Sequence, residues 1–217
     1  MAARVEFFFD CSSPWTYLAF HAIQPLARET GAELVWKPIL VGGVFNTVND
    51  TVYKSREHPN ERKLAYAKKD MADWARLYGL RIKMRPTVFP VNSVKCMRGA
   101  LVALDAGKLV PYAYAAFDIY WGDDKDISKD DVLAEAVDRA GLDRAEFFAR
   151  ISEQAYKDRL KANTDEVIAR GGFGSPTMFL NTSDMYFGND RLPLLRDAIQ
   201  RSAGSEAARV QTAAAGL

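Results

Sequence analysis

The chain has 217 residues, 48% hydrophobic and 26% charged, with 29 Lys+Arg against 28 Asp+Glu for a net charge of +1. Such a chain buries a substantial core as one large domain or as a domain with an insertion, and its composition excludes a disordered, collagen-like or disulfide-stapled protein. The balanced charge offers no global field to nucleic acid or an anionic membrane, no apolar run reaches spanning length, and Met1 to Asp10 lacks a secretory layout, so a cytoplasmic protein is expected.

Arg4 to Asp10 is a short aromatic and β-branched run that reads as a buried strand and stops at Cys11-Ser12-Ser13-Pro14. Ser13 is the expected N-cap of a helix opened by Pro14 and stopped by Gly31, and Glu33 to Pro38 is a second strand, completing a β-α-β unit with parallel strands. From Gly42-Gly43 to Gly171-Gly172 helical periodicity takes over. Leu64, Ala67, Met71, Trp74 and Tyr78 share one face before Gly79, as do Val94, Met97, Leu101 and Leu104 before Gly107. Pro111 opens another helix through Trp121, Ser128 caps a further one, and Asp143 with Glu146 resembles a capping box. Thr177 to Leu180 and Met185 to Phe187 form a hairpin, Gly188-Asn189-Asp190 caps a last helix to about Arg201, and an Ala- and Gly-rich tail expected to fray follows Ser202.

Cys11 and Cys96 stand in no dithiol or metal-ligand spacing, so neither a redox pair nor a metal site is expected. His21 and His58, the only histidines, read as packing or surface residues rather than members of a catalytic triad. Three backbone features carry the chemistry instead. Ser13-Pro14 opens a helix at the carboxyl end of the first strand, where free N–H groups and the helix dipole favour an anion. Ser175-Pro176 suits a cis bond that leaves the N–H and C=O of Ser175 free for an extended ligand. Asn189-Asp190 offers backbone donors and a carboxylate for an ammonium group. Trp15 and Phe45 are candidates for an apolar substrate wall.

The stretches FFFDCSSPWTYLAF, KPILVGGVFN, FGSPTMFL and YFGNDRLPLL resemble the 2-hydroxychromene-2-carboxylate isomerase family, relatives of kappa-class glutathione transferases in the DsbA-like group, from about Arg4 to Arg201. The resemblance implies an α/β thioredoxin fold with a large all-helical insertion. Residues 1–41 plus 172–203 would form the thioredoxin-like part, 42–171 the insertion and 204–217 a tail. It implies glutathione as cofactor, a homodimer, and Ser13 as the catalytic residue where oxidoreductases of this fold carry a cysteine. Ser175 would pair with the cysteinyl backbone of glutathione, Asn189 and Asp190 would clamp its γ-glutamyl end, and Asn49, or Asp50, and Lys63 would lie near it. Cys11 departs from the family, which usually has an aromatic or aliphatic residue there, and reads as a small buried hydrophobe. Lys54, Arg56 and Arg85 are all candidates for a substrate carboxylate. The implied activity is glutathione-dependent isomerisation of 2-hydroxychromene-2-carboxylate or a related aromatic oxo acid to trans-o-hydroxybenzylidenepyruvate. A kappa-type transferase and a non-catalytic glutathione-binding protein are the alternatives, and a disulfide oxidoreductase is the weakest.

Overall fold

The computed structural model of the protein describes residues 2–202, so the tail expected after Ser202 lies outside the described residues. Strand β1 (Arg4–Phe9), helix α1 (Pro14–Thr30) and strand β2 (Glu33–Pro38) form the expected opening unit, and the two strands run parallel with Arg4 opposite Glu33 and Phe9 opposite Pro38. Strands β3 (Thr177–Leu180) and β4 (Asp184–Phe187) close an antiparallel hairpin onto β1, giving a four-stranded sheet in the order β2-β1-β3-β4.

The near-continuous apolar run of β1 follows from a sheet covered on both faces. Val5, Phe7 and Phe9 belong to the main core with Met178 and Leu180, whereas Phe8 turns the other way to meet Phe179, Ile39, Val44 and Val167. The register enforces that division, since Phe7 stands opposite Met178 and Val5 opposite Leu180.

Between β2 and β3 the described chain is helical: α2 (Val41–Val48), α3 (Thr51–Glu57), α4 (Glu61–Tyr78), α5 (Val94–Asp105), α6 (Leu109–Phe117), α7 (Asp130–Arg139), α8 (Arg144–Arg150) and α9 (Gln154–Ala169). The main core runs unbroken from β1 through α1 into α5, α6 and α7, so the helices complete the burial of the sheet instead of enclosing a separate core. Each fully buried large side chain there, such as Phe117 or Phe147, contributes roughly 1.5–3 kcal/mol.

Several local expectations need correction. Helix α6 begins at Leu109, placing Pro111 at its third position, because none of the first four N–H groups of a helix needs an intrahelical acceptor. It does not continue as an α-helix to Trp121: residues Asp118–Gly122 form a π turn. Ser128 is not a cap; its N–H donates to Asp126 Oδ1 at 3.0 Å in an Asx turn, and Lys129 is the capping position of α7. The chain after β4 makes a 3-10 turn, Asn189–Arg191, before the last helix, α10 (192–202), and the Asn189 side chain caps nothing. Asp143 does accept from the Glu146 N–H, at 2.8 Å.

Candidate active site

The carboxyl end of β1 meets the start of α1 and the loop before β3. Ser13 is the N-cap of α1: its extended backbone turns the Oγ back to accept from the Thr16 N–H at 3.3 Å, and the same Oγ donates to the Ser175 carbonyl at 3.1 Å. The first turn of α1 contains no acidic residue, and the Trp15 N–H has no acceptor among the described residues. The positive end of a 17-residue helix is therefore directed at the space beside Ser13.

The Ser175-Pro176 peptide is cis, as expected. Its carbonyl is not free, contrary to expectation, because it accepts the Ser13 hydroxyl; the Ser175 N–H has no acceptor among the described residues. The buried Ser175 Oγ accepts from the Asp10 N–H at 3.0 Å and shares a 2.8 Å hydrogen bond with Thr16 Oγ1. Three residues that the sequence left unassigned thus hold the site. Thr16 and Ser93 are two of them, and the third is Asp10. Its fully buried carboxylate accepts from the Ser12 N–H and the Val41 N–H, each at 2.9 Å, and from Ser93 Oγ at 3.0 Å. Burial pushes the Asp10 carboxyl above its ordinary value, and the three donors pull it back only in part. The signal was present as an aspartate ending a buried strand, a place where a polar side chain has to be satisfied locally.

Two adjoining cavities open here. The larger, about 610 Å³, is lined by Ser13, Ser175, Asn49, Trp15, Phe45 and others; the smaller, about 420 Å³, is lined by Lys63, Arg85, His58 and Trp121 among others. Pro14, Arg56, Met84 and Phe89 face both. The structure thus brings Ser13, Ser175 and Asn49 to one cavity and Lys63 to its neighbour. Asn49 is the C-cap position of α2; its amide donates to the Phe173 carbonyl at 2.9 Å and its Oδ1 accepts from Thr51 Oγ1 at 2.8 Å. Asp50 lines neither cavity and pairs with Lys54 at 3.7 Å. Asn189 and Asp190 lie outside both linings, but the Gly188 N–H donates to the Pro176 carbonyl at 3.2 Å and ties their turn to the cis peptide. Gly188 adopts a φ of 97°, which a side chain would strain. Asn189 is buried with its Nδ2 lacking a hydrogen-bond partner among the described residues, while the exposed Asp190 pairs with Arg191 at 2.6 Å.

Neither cysteine supplies a nucleophile to this space. Cys11 is fully buried, its N–H directed at Met97 Sδ and its carbonyl accepting from Trp121 Nε1 at 2.9 Å. Burial, then the neighbouring Cys96 and Asp10, push its thiol well above the ordinary range, so it stays protonated at neutral pH. Cys96 is likewise buried and free. His21 is half-buried against Tyr78 and Tyr114, away from both cavities.

A family profile described as a DSBA-like thioredoxin domain matches residues 4–200. The chain is 32% identical over 199 residues to a 2-hydroxychromene-2-carboxylate isomerase of Pseudomonas putida, covering 91% of this chain and 94% of that one. It is 26% identical over 205 residues to a glutathione S-transferase kappa 2 of Caenorhabditis elegans, covering 89% and 90%. A solved structure of 2-hydroxychromene-2-carboxylate isomerase superposes with a TM-score of 0.77 at 30% identity, covering 94% of this chain and 98% of that one.

Proposed function

The chain belongs to the DsbA-like thioredoxin-domain family and, within it, to the 2-hydroxychromene-2-carboxylate isomerase family, and from that premise we propose that it is a glutathione-dependent cis-trans isomerase of 2-hydroxychromene-2-carboxylate or a related aromatic oxo acid. The observation that carries this reading is the Ser13 hydroxyl at the N-terminus of α1, beside a cis-proline loop and a cavity that no protein thiolate reaches.

The residues fit glutathione. The free Ser175 N–H, directly before the cis-proline, is a main-chain donor for the cysteinyl unit. The orphaned, buried Asn189 amide is a donor in need of an oxygen, and a γ-glutamyl carboxylate would satisfy it, with Asp190 exposed beside it for the ammonium. Asn49 and Lys63 flank the remaining length, Lys63 as the counter-charge to the glycyl carboxylate. When bound, glutathione supplies a sulfur nucleophile that adds reversibly to the conjugated double bond of the ring-opened substrate, allowing rotation about that bond before the sulfur leaves.

Ser13 can turn its proton from the Ser175 carbonyl toward that sulfur, and the α1 terminus favours the negative charge. Together they hold the thiol ionised near neutral pH. Trp15, Phe45 and Phe89 supply apolar surface for an aryl ring and keep water from the reacting carbons. No proton needs to be abstracted from carbon in the rearrangement, and no residue of the crevice is assigned to that task. The reading includes a cytoplasmic homodimer.

Absorbance-followed interconversion of 2-hydroxychromene-2-carboxylate and trans-o-hydroxybenzylidenepyruvate, with and without glutathione, for the wild type and Ser13→Ala, is the test. Turnover only with glutathione, and depressed by the substitution, is expected; equal rates in all four arms reject the assignment. The kappa-type relative favours a second reading, conjugation of an electrophile by the same sulfur, which stoichiometric loss of free thiol during turnover would establish in place of isomerisation.

A further inference from the structure

We propose that Arg56 is the substrate-carboxylate site of the crevice, taking the carboxylate of a small aryl oxo acid. This rests on the isomerase reading above and goes further by choosing one cation from three candidates.

The first ground is position: Arg56 lines both cavities, on the wall they share with Pro14, Met84 and Phe89, next to the Ser13-Pro14 turn. The second is charge. No aspartate or glutamate lines either cavity, and the guanidinium makes no ion pair or hydrogen bond with any described residue. Its planar fork of donors is available to a bidentate acceptor. The third is preorganisation. The guanidinium lies 5.2 Å from the Phe89 ring centroid, 5.7 Å from that of Phe45 and 6.0 Å from that of Tyr53. Such stacking suits arginine in particular, and it holds the head group of an otherwise exposed side chain against the rings that an aryl substrate would touch.

The competitors fall short. Lys54 lines neither cavity and pairs with Asp50 at 3.7 Å. Arg85 and Lys63 line only the smaller cavity and have no ring within stacking range. An aryl oxo acid carries its ring and its carboxylate a few bonds apart, which matches a cation embedded in an aromatic wall.

The test measures binding rather than turnover. Phenylpropanoate and phenylpropanamide, equal in shape and different in charge, are titrated into the full chain while the fluorescence of the cavity tryptophans Trp15 and Trp121 is followed. The wild type should prefer the acid by about tenfold, as expected for one charge-assisted pair at a partly open site. Arg56→Gln should bind acid and amide alike, Arg56→Lys should recover part of the preference, and Lys54→Gln, with the same change in net charge, should match the wild type. Glutathione uptake, measured by calorimetry, should be unchanged in Arg56→Gln. Retention of the acid preference in Arg56→Gln, or a parallel loss of glutathione affinity, overturns the assignment. Failure of the isomerase reading would appear separately, as absent glutathione uptake by the wild type, with the acid-amide contrast intact.

Discussion

On the sheet side of the crevice, Asp10, Ser13, Thr16, Ser93 and Ser175 direct side-chain polar atoms at one another, and the Ser175 and Trp15 N–H groups are left without an acceptor among the described residues. On the helical side, the exposed side chains of Arg56, Lys63 and Arg85 make no ion pair or hydrogen bond among the described residues, and Arg56 rests only on aromatic rings. The first wall is a buried network, where removing any member leaves others unsatisfied in a low-dielectric setting. The second is a solvated surface whose charges have little to do with folding. The contrast teaches that the wall around Ser13, which the proposed function directs at a glutathione sulfur, is the wall that cannot relax, whereas the wall of exposed cations can be altered at little cost to the fold. Substitutions on the two sides should therefore separate stability from affinity.

The largest effect is expected at Ser13. In Ser13→Ala the donor directed at developing charge is lost, and kcat should fall by roughly 10²–10³, as for removal of one oxyanion donor. Loss of the cap should cost about 1 kcal/mol of stability. The ultraviolet absorbance of bound thiolate, followed against pH, should show the glutathione thiol ionising at higher pH than in the wild type. An unchanged titration would place the source of acidity elsewhere in the crevice.

Asp10→Asn probes the same wall through the fold. The carboxylate accepts three donors, and an amide would set its own N–H₂ against one of them, so a loss of about 2–4 kcal/mol is expected by urea unfolding. The pH dependence has a defined sign. Because burial raises the Asp10 carboxyl above its ordinary value of 3.8, the folded state binds this proton more tightly than the unfolded state. Its contribution is therefore fully present below that ordinary value and is lost as pH rises through the raised one. The asparagine variant should lack this component, and an identical pH profile in the two proteins would refute a buried titrating Asp10.

Asn189→Ala should behave in the opposite way. The Nδ2 is buried without a partner among the described residues, so truncation removes an unsatisfied donor and should leave stability unchanged or slightly raised. Glutathione affinity, by calorimetry, should fall about tenfold, the effect of one hydrogen bond to a charged group. A destabilised variant with intact affinity would make Asn189 part of the fold rather than of the site.

The same division governed what could be read from the sequence. The rigid wall was legible where local rules act: Ser13 before Pro14 is a helix-start signal, Gly31 a stop, and Ser175-Pro176 a turn before a strand, and each sits where short-range chemistry puts it. Asp10 was missed because its partners, Val41 and Ser93, lie 31 and 83 residues away and only the folded chain brings them together. The occupied Ser175 carbonyl was missed for the same reason, since the Ser13 hydroxyl reaches it across 162 residues. In the helical region periodicity revealed α4 and α5 but misjudged α6 and the cap of α7. There an early proline and an Asx turn satisfied the backbone in ways that single-residue capping preferences do not distinguish. The choice among Lys54, Arg56 and Arg85 was not legible at all, because surface cations carry no periodic or capping signature and it takes the folded chain to place Arg56 on both cavities and against aromatic rings.

Lys63→Gln gives the mildest and most diagnostic contrast. Lys63 sits in the first turn of α4 with an exposed side chain, and its N–H, which donates to Asn60 Oδ1 at 3.1 Å, is kept by glutamine. The fold should not register the change. An exposed ammonium attracting a carboxylate in solvent is worth under about 1 kcal/mol, so glutathione affinity should fall only about two- to fivefold. Because the interaction acts through water, the difference between wild type and variant should shrink as ionic strength rises past the point where the Debye length drops below about 8 Å. Calorimetric titrations in low and high salt check both statements. A loss that is large, insensitive to salt, or accompanied by a lower melting temperature would mean that the helical wall is as tightly built as the sheet side, and the separation between a rigid chemical wall and an adaptable ligand wall would fail.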